Sequence, residues 1–232
     1  MLGFEEHEIG DGLEEWSQRI HPDDMPATLA ILHDYLDGKT SNYLSEHRVK
    51  CKDGRWKWIL DRGMIVSRNA DGKPLRMIGT HTDITQRKAA EDQIRQLAFY
   101  DPLTGLPNRR MLLDRLRHAL ASSARSGACG ALLFIDLDHF KRFNDSHGHL
   151  AGDQALRMAA SVLSSALRPT DFAVRYGGEE MIVLMPGTEI IHAQLTADRL
   201  RESVADTPLR MQDGRELTIQ VSGGIAQWQP GT

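Results

Sequence analysis

The stretch that most constrains this fold is a Gly-Gly pair, residues 177–178, between two short apolar runs at 172–174 and 181–185. Both runs are rich in bulky apolar side chains, as buried strands are. Glycine supplies the positive φ angles of two-residue hairpin turns, so the stretch predicts two antiparallel strands joined by a tight turn. Glu179 and Glu180 follow the glycines directly. Because folding alone does not require two acids at a hairpin tip, they indicate a metal or phosphate site.

A second acidic stretch ends another apolar run. Residues 131–135 are continuously apolar, which predicts a strand covered on both faces. The run leads into Asp136 and Asp138, which point to the same face if the strand persists. Mg²⁺ takes oxygen ligands and keeps waters and substrate phosphates in its shell. A strand end bearing Asp136 beside a turn bearing Glu179 therefore predicts a magnesium site for a phosphate-containing substrate.

Polar residues between these two stretches suit a nucleotide. The peptide N–H groups after Asp138 begin a short helix and are natural phosphate donors. Lys141 adds a point charge, and Asn144 with Asp153 offers an amide and a carboxylate suited to the edge of guanine. Each residue alone has an ordinary structural explanation as a cap, a turn residue or a solvated charge. Their combination in this order favours the chemical explanation.

The N-terminal part has a different pattern. A helix with apolar residues on one face precedes three antiparallel strands at about 43–52, 55–68 and 74–82, joined by Asp-Gly pairs that predict type I′ turns. Trp56 and Trp58 share one strand face. They either line a ligand cavity or pack against the preceding helix, and packing is the commoner outcome for strand aromatics.

Two helix starts follow from capping residues. Asp23 or Asp24 is expected to cap the first long helix, and Thr85 to cap a helix over residues 85–97. This second helix has only a thin apolar seam. It is either a solvated linker or half of a short coiled coil in a homodimer. Asn108 is expected to cap a further helix that Gly127 ends. Helices and strands then alternate around one sheet.

Composition excludes several classes of protein. The net charge is −4 without a basic stripe, which argues against a nucleic-acid-binding surface. No apolar run approaches the roughly 20 residues that span a bilayer, and the acidic N-terminus is unlike a signal peptide. Cys51 and Cys129 lack metal-ligand spacing and are expected to be reduced. We therefore expect a cytoplasmic protein.

Three runs in the first part, HPDD, KDGRWKWILDRG and GTHTDITQRKAAE, resemble the C-terminal two-thirds of a PAS sensor domain with its exit motif. The resemblance implies a partial PAS/PAC domain over residues 1–84, lacking its first strands, and a signalling linker helix over 85–98. The PAS ligand is left open by the sequence: haem, flavin, a small metabolite or none.

Five later runs resemble the GGDEF family of diguanylate cyclases over residues 99–228: DPLTGLPNRR, ALLFIDLDHFKRFND, HGHLAGDQAL, DFAVRYGGEEMIVLMP and LTIQVSGGIA. The resemblance implies an α/β (α+β) two-domain protein, with a GGDEF domain over 99–232 whose central sheet is flanked by helices. Members of the family join two GTP molecules into cyclic di-GMP, using Mg²⁺ or Mn²⁺, in a dimer whose two domains face each other.

The resemblance also implies roles for individual residues. Asp136 and Glu179 would be the metal carboxylates, assisted by the Leu137 carbonyl, and Glu179 would help to deprotonate the 3′-hydroxyl. The remaining implied residues are Glu180 as the second acid, Asn144 and Asp153 on guanine, Phe140 and Lys141 along the phosphates, and Arg168, Asp171 and Arg199 in an inhibitory product site.

Two departures from the family pattern leave alternatives open. Met181 replaces the usual Phe of the signature, and the chain stops at Thr232, before the family's helix with a phosphate-binding Lys and Arg and its last strand. A catalytically inactive receptor that binds GTP or cyclic di-GMP is the alternative function. A cyclic di-GMP phosphodiesterase domain beyond Thr232 is a further possibility.

Overall fold

The computed structural model describes residues 1–8, 10, 12–211 and 214–230. They form two compact units, Met1–Gln93 and Ile94–Thr232, and the boundary falls inside one helix. Thr232, the predicted end of the second domain, lies outside the described residues. Over the described ranges, no helix is both long enough and apolar enough to cross a bilayer.

The first unit is an antiparallel sheet with short helices before it. A 3₁₀ turn spans Glu6–Glu8. The remaining elements are α1 (Leu13–Ser17), α2 (Met25–Leu36), β1 (Tyr43–Lys50), β2 (Trp56–Arg68) and β3 (Pro74–Asp83). The strands pair in the order β1-β2-β3, both pairs antiparallel. The prediction of three antiparallel strands is confirmed.

The core of this unit lies between α2 and the inner face of the sheet. Leu32 and Tyr35 of α2 are buried against Tyr43 of β1. Alternate residues of β1 are buried, as expected of a strand with one covered face. On β2 the buried residues are Ile59 and Asp61.

The expected packing of Trp56 and Trp58 against the helix is wrong. Both lie on the face of β2 opposite to Ile59 because side chains alternate along a strand. Trp56 is 39% exposed, and its ring centroid lies 4.6 Å from that of His21. The guanidinium of Arg48 lies 5.5 Å from the centre of the Trp58 ring, an outer-face cation–π contact.

The two Asp-Gly turns are longer than the predicted type I′ turns. Only the glycines have positive φ, 84° at Gly54 and 80° at Gly72. The Gly54 N–H donates to Cys51 O, and the Cys51 N–H donates to Arg55 O. This pattern is that of a type I turn followed by a left-handed glycine, which lengthens the loop.

Two of the predicted caps are also wrong, because other partners occupy those side chains. Asp24 precedes α2 but makes no side-chain cap; its carboxylate accepts hydrogen bonds from Arg48 at 2.7 and 2.8 Å. Thr85 is the first residue of α3 (Thr85–Phe99), and its hydroxyl oxygen accepts from the Trp58 N–H. The Asp83 carboxylate accepts from the Thr85 N–H instead.

The second unit has a four-stranded antiparallel sheet in the order β5-β6-β4-β9 and a two-stranded β7-β8 ribbon. Its helices are α4 (Arg109–Ser126), α5 (Phe140–His147), α6 (His149–Ala166) and α7 (Ile190–Ala205). Its strands are β4 (Gly130–Leu137), β5 (Phe172–Gly177), β6 (Glu180–Pro186), β7 (Leu209–Arg210), β8 (Glu216–Leu217) and β9 (Val221–Trp228). The predicted mixed helix and sheet architecture is confirmed.

Helices cover both faces of this sheet, but unequally. On one face Leu133 and Ile135 of β4 join the main core with Leu156 of α6 and Leu200 of α7. On the other face α4 supplies Leu112 to a smaller cluster. Phe134 points to this second face and is 47% exposed, so the expected covering of β4 on both faces is wrong at its end.

The ends of α4 follow the sequence prediction. The Asn108 side chain accepts hydrogen bonds from the N–H groups of Arg110 and Met111. Gly127 ends the helix in the left-handed conformation, with φ of 74°. Local sequence specified both ends, since the second contact of the Asn108 side chain, from Nδ2 to the Ala98 carbonyl at 3.0 Å, leaves its oxygen available for the cap.

Candidate active site

The candidate site is built around the β5–β6 hairpin. Gly177 pairs with Glu180, so the two residues of the turn are Gly178 and Glu179 rather than the two glycines. Gly178 has φ of 52°, the left-handed region that glycine adopts without a Cβ clash. Glu179 therefore lies in the turn itself, and Glu180 is the first residue of β6.

Strand pairing places a second acid opposite the hairpin. Asp136 of β4 is the direct antiparallel partner of Glu180. Directly opposite residues project to the same face of a sheet, so these two carboxylates are neighbours. Sequence reasoning paired Asp136 with Glu179 only, because a strand register is set by long-range packing and is not readable from one strand.

The surroundings of Asp136 disfavour its negative charge. Burial raises the pKa of Asp136 above its ordinary value, and the negative charges of Glu179, Glu180 and Asp138 raise it further, in that order. Asp136 and three other carboxylates thus share one end of the sheet. The other three disfavour the charged form of Asp136, and a bound cation would reverse that effect.

The donor set fits a hard divalent cation that a substrate also ligates. Within the described residues, no three side chains of His, Cys, Asp or Glu form a group that could hold a metal ion by themselves. Mg²⁺ and Mn²⁺ accept carboxylate, carbonyl and phosphate oxygens, and Mg²⁺ needs only one or two protein carboxylates. Leu137 ends β4, and because a leucine side chain has no ligand atom, only its backbone carbonyl could serve as a ligand.

A cleft of about 420 Å³ adjoins the acids. Asp136 and Glu180 line it together with the aromatic side chains of Phe134 and Tyr176. Neither aromatic residue was predicted to belong to the site. Phe134 alternates with Asp136 on β4, and Tyr176 lies on β5 beside the strand of Glu180, so a known register would have revealed both.

The chain turns sharply between β4 and α5. Among the described residues, His139 is the one non-glycine residue with positive φ, at 56°. It precedes α5 and makes no side-chain cap, so the first N–H groups of α5 have no capping acceptor from it. Phe140 is half-buried against the main core, and Lys141 is exposed.

A buried acceptor without a donor lies between α5 and α6. The amide oxygen of Asn144 is buried and accepts no hydrogen bond from any described residue. Gly152 of α6 leaves room for this amide: a Cβ at position 152 would collide with Asn144 Oδ1 and lie 3.1 Å from Phe140 Cζ. Asp153, the next residue, is half-buried. Sequence reasoning missed Gly152, because its contact is with Asn144 on another helix.

One arginine, Arg175, holds the hairpin turn through hydrogen bonds to its backbone. Arg175 Nη1 donates to both carboxylate oxygens of Asp101, each at 3.0 Å. Its Nε and Nη2 donate to the Gly178 carbonyl at 3.0 and 2.8 Å. Although burial raises it, the pKa of Asp101 is lowered on balance by hydrogen bonds from Thr104 and Arg175. A charged pair thus fixes the backbone of the catalytic candidate Glu179.

The three residues of the predicted inhibitory site lie near the end of α6. The Asp171 carboxylate accepts from the Arg168 N–H at 3.3 Å. Arg199 of α7 donates to the Ala166 carbonyl, in the last turn of α6, at 2.9 Å. All three belong to one exposed region.

Met181, the departure in the signature, is fully buried in the main core.

Comparison with known proteins gives two family matches. The model described as "Diguanylate cyclase, GGDEF domain" matches residues 98–232, and a "PAS fold" model matches residues 1–81. Diguanylate cyclase DgcP of Pseudomonas aeruginosa is 45% identical over 139 residues, 60% of this chain and 20% of that protein. Response regulator PleD of Caulobacter vibrioides is 39% identical over 183 residues, 75% of this chain and 40% of that protein.

A solved structure agrees with these matches. The coiled coil and GGDEF domain of DgcB from Caulobacter crescentus, in complex with c-di-GMP, has a TM-score of 0.60 and 34% sequence identity. The match covers 64% of this chain and 79% of that chain. The present chain spans between a fifth and two fifths of the length of the two curated relatives.

We predict that Asp136→Asn raises the midpoint of thermal unfolding of the metal-free protein, because it removes one of four mutually repelling carboxylates. Added MgCl₂ should stabilise the natural protein and have a smaller effect on the variant. Calorimetry at low ionic strength measures both effects. Asp114→Asn, at an exposed position of α4, is the control and should change neither. A lowered midpoint for Asp136→Asn alone would contradict the electrostatic account.

Proposed function

Because the chain belongs to the GGDEF family of diguanylate cyclases, we propose that it condenses two GTP molecules into cyclic di-GMP and pyrophosphate under the control of its PAS unit. The observation that carries the proposal is the pairing of Asp136 with Glu180 beside a turn that bears Glu179. This is an acidic site at a sheet end, and the buried Asn144 amide oxygen between α5 and α6 accepts no hydrogen bond from a described residue. A metal–triphosphate and a nucleobase would occupy these two places.

The acids have distinct proposed roles. Asp136, Glu179 and the Leu137 carbonyl would hold Mg²⁺ or Mn²⁺, which supplies positive charge against the phosphates when bound. Glu179 accepts the proton of the 3′-hydroxyl. The 3′-oxygen then bonds to the α-phosphorus of the other GTP, and the bond from that phosphorus to the pyrophosphate oxygen breaks. Glu180 is the second acid, adding negative charge beside Asp136.

The base and phosphates have separate proposed contacts. Asn144 has a buried acceptor that guanine N–H groups would satisfy, and leaving it unpaired costs free energy. Asp153 would accept a second guanine N–H. Phe140 and the exposed Lys141 lie at the start of α5, where the phosphates would meet peptide N–H groups. Since the guanine edge offers both N1–H and N2–H, an amide and a carboxylate together would distinguish it from adenine.

Two copies of the site are needed, since each holds one GTP. The helix α3 would bring them together: Ile94 and Leu97 are 66% and 65% exposed, and they share a face at a spacing of three. A coiled coil of two α3 helices would bury these side chains. This homodimer would link the state of the PAS unit to the encounter of two cyclase domains.

Glu179→Gln should reduce cyclic di-GMP formation by roughly 10² or more, the usual loss on removing a general base. The glutamine keeps the size of the side chain and removes its charge and proton affinity. The assay incubates the natural full-length protein with GTP and MgCl₂ and quantifies product by chromatography. Glu202→Gln, exposed on α7, is the matched control and should keep full activity. Product formation by neither the natural protein nor the control would reject the proposed cyclase.

Gly152→Ala should raise KM for GTP about tenfold, equivalent to roughly 1.4 kcal/mol of lost binding. The new methyl group would push the Asn144 amide out of its place. Initial rates over a range of GTP concentrations give KM and kcat. Ser161→Ala, exposed on the same helix, controls for changes in α6 itself. An unchanged KM would mean that Asn144 does not contact the base.

The surface formed by Arg168 and Asp171 after α6 and by Arg199 of α7 would bind the product cyclic di-GMP. Arg168 would form forked hydrogen bonds to guanine or phosphate. Arg168→Gln should therefore raise the half-inhibitory concentration of added cyclic di-GMP about tenfold or more. Arg201→Gln, also exposed and on α7, should leave that concentration unchanged. Equal inhibition of both variants would exclude this site.

A further inference from the structure

The sheet of the first unit carries two adjacent cross-strand rows on its inner face. One row is polar: Ser45 pairs with Asp61, and Asp61 pairs with His81. In the next row Tyr43 pairs with Gly63, which pairs with Gly79. The sheet therefore presents a carboxylate beside two paired positions without side chains.

The two glycines lie where neighbouring atoms of the sheet approach closely. A Cβ at position 79 would lie 2.9 Å from the Arg62 carbonyl oxygen and 3.6 Å from Asp61 Oδ1. A Cβ at position 63 would collide with the end of Met77. Glycine weakens a strand interior and marks places of close approach. Both glycines also border an open space beside Asp61.

That space is a cavity of about 530 Å³, within the size range of small-molecule sites. Its walls are mostly apolar or aromatic. They include Leu32, Val49, Met77 and Ile78, with the rings of Trp16 and Tyr43. Asp61, also in the wall, is 4% exposed. A buried charge in such surroundings is costly unless it is paired.

The two oxygens of Asp61 have different partners. Oδ2 accepts hydrogen bonds from Trp16 Nε1 at 3.1 Å and from the Tyr43 hydroxyl at 3.4 Å. Burial and the Asp61 charge raise the pKa of Tyr43, so this hydroxyl remains a neutral donor. Among the described residues, Oδ1 has one long contact, 3.4 Å to His81 Nε2. Oδ1 is also the oxygen above Gly79, and it retains capacity to accept a stronger donor.

Of the residues that the structure describes, the other titratable groups near Asp61 do not pair its charge fully. Arg19 lines the cavity, but its guanidinium is held by Glu15 at 2.9 Å. Burial lowers the pKa of His47, which therefore stays neutral. The Asp61 hydrogen bond raises the pKa of His81, whose side chain is 32% exposed, so water screens its charge.

We infer that this cavity binds a small organic amine, with the ammonium group on Asp61 Oδ1 and an apolar body against Leu32, Val49 and Met77. The ammonium group takes the place of the long His81 contact and offsets the buried negative charge. The inference deepens the proposed PAS control by naming its ligand class, and its binding test requires no cyclase activity.

The experiment compares two probes of the same shape by calorimetry on the complete chain. Tryptamine carries an ammonium group, and tryptophol carries a hydroxyl in its place. We expect tryptamine to bind at least tenfold more tightly than tryptophol, with a Kd below about 1 mM. Asp61→Asn should abolish this preference. Asp71→Asn, the same exchange at an exposed turn, should preserve it.

Absence of tryptamine binding, equal affinity for the two probes, or an unchanged preference in Asp61→Asn would each overturn the inference. Circular dichroism checks that the variant folds. If it does not fold, the affinity ratio on the natural protein decides alone, and a ratio below tenfold overturns the inference. Loss of cyclic di-GMP synthesis would bear only on the proposed function, because calorimetry records binding directly.

Discussion

The antiparallel pairing of β4 with β6 is the constraint on which the candidate site depends. It places Asp136 directly opposite Glu180, and a slip of one residue would send one of them to the other face. The register is fixed by buried neighbours further along the same strands, including Ile135 and Val183 in the main core. Apolar packing thus aligns carboxylates that repel one another, and it does so without any contact between the core residues and a substrate.

Two kinds of electrostatic environment meet at the hairpin. On the side of the acids, burial and the charges of Glu179, Glu180 and Asp138 raise the pKa of Asp136, and the site is negative. Asp101 and Arg175, by contrast, form a paired, partly buried set whose charges compensate each other. The first arrangement costs stability and serves binding, whereas the second holds the backbone. Active sites commonly combine a locally unfavourable charge distribution with a support that keeps it in place.

Local signals in the sequence predicted those features that depend on a few neighbouring residues. The Asn108 cap, the Gly127 helix end and the β5–β6 hairpin are of this kind. Predictions failed where a distant partner competed for the same atoms: Arg48 takes the Asp24 carboxylate from its expected role as a cap. Gly152 could not be recognised from the sequence either, because its importance arises from a side chain on another helix. The roles of the candidate site residues remain predictions, since chemistry, unlike strand pairing, is not visible in a backbone.

The Arg175 contact has a mechanical consequence. Asp101 follows the end of α3 at Phe99 by two residues, and Arg175 connects its carboxylate to the Gly178 carbonyl through a single side chain. The Asn108 N–H also donates to the Phe99 carbonyl, so the last turn of α3 is fixed to the start of α4. The end of α3 and the turn that bears Glu179 are thus connected through one side chain, Arg175, and the two residues that follow Phe99.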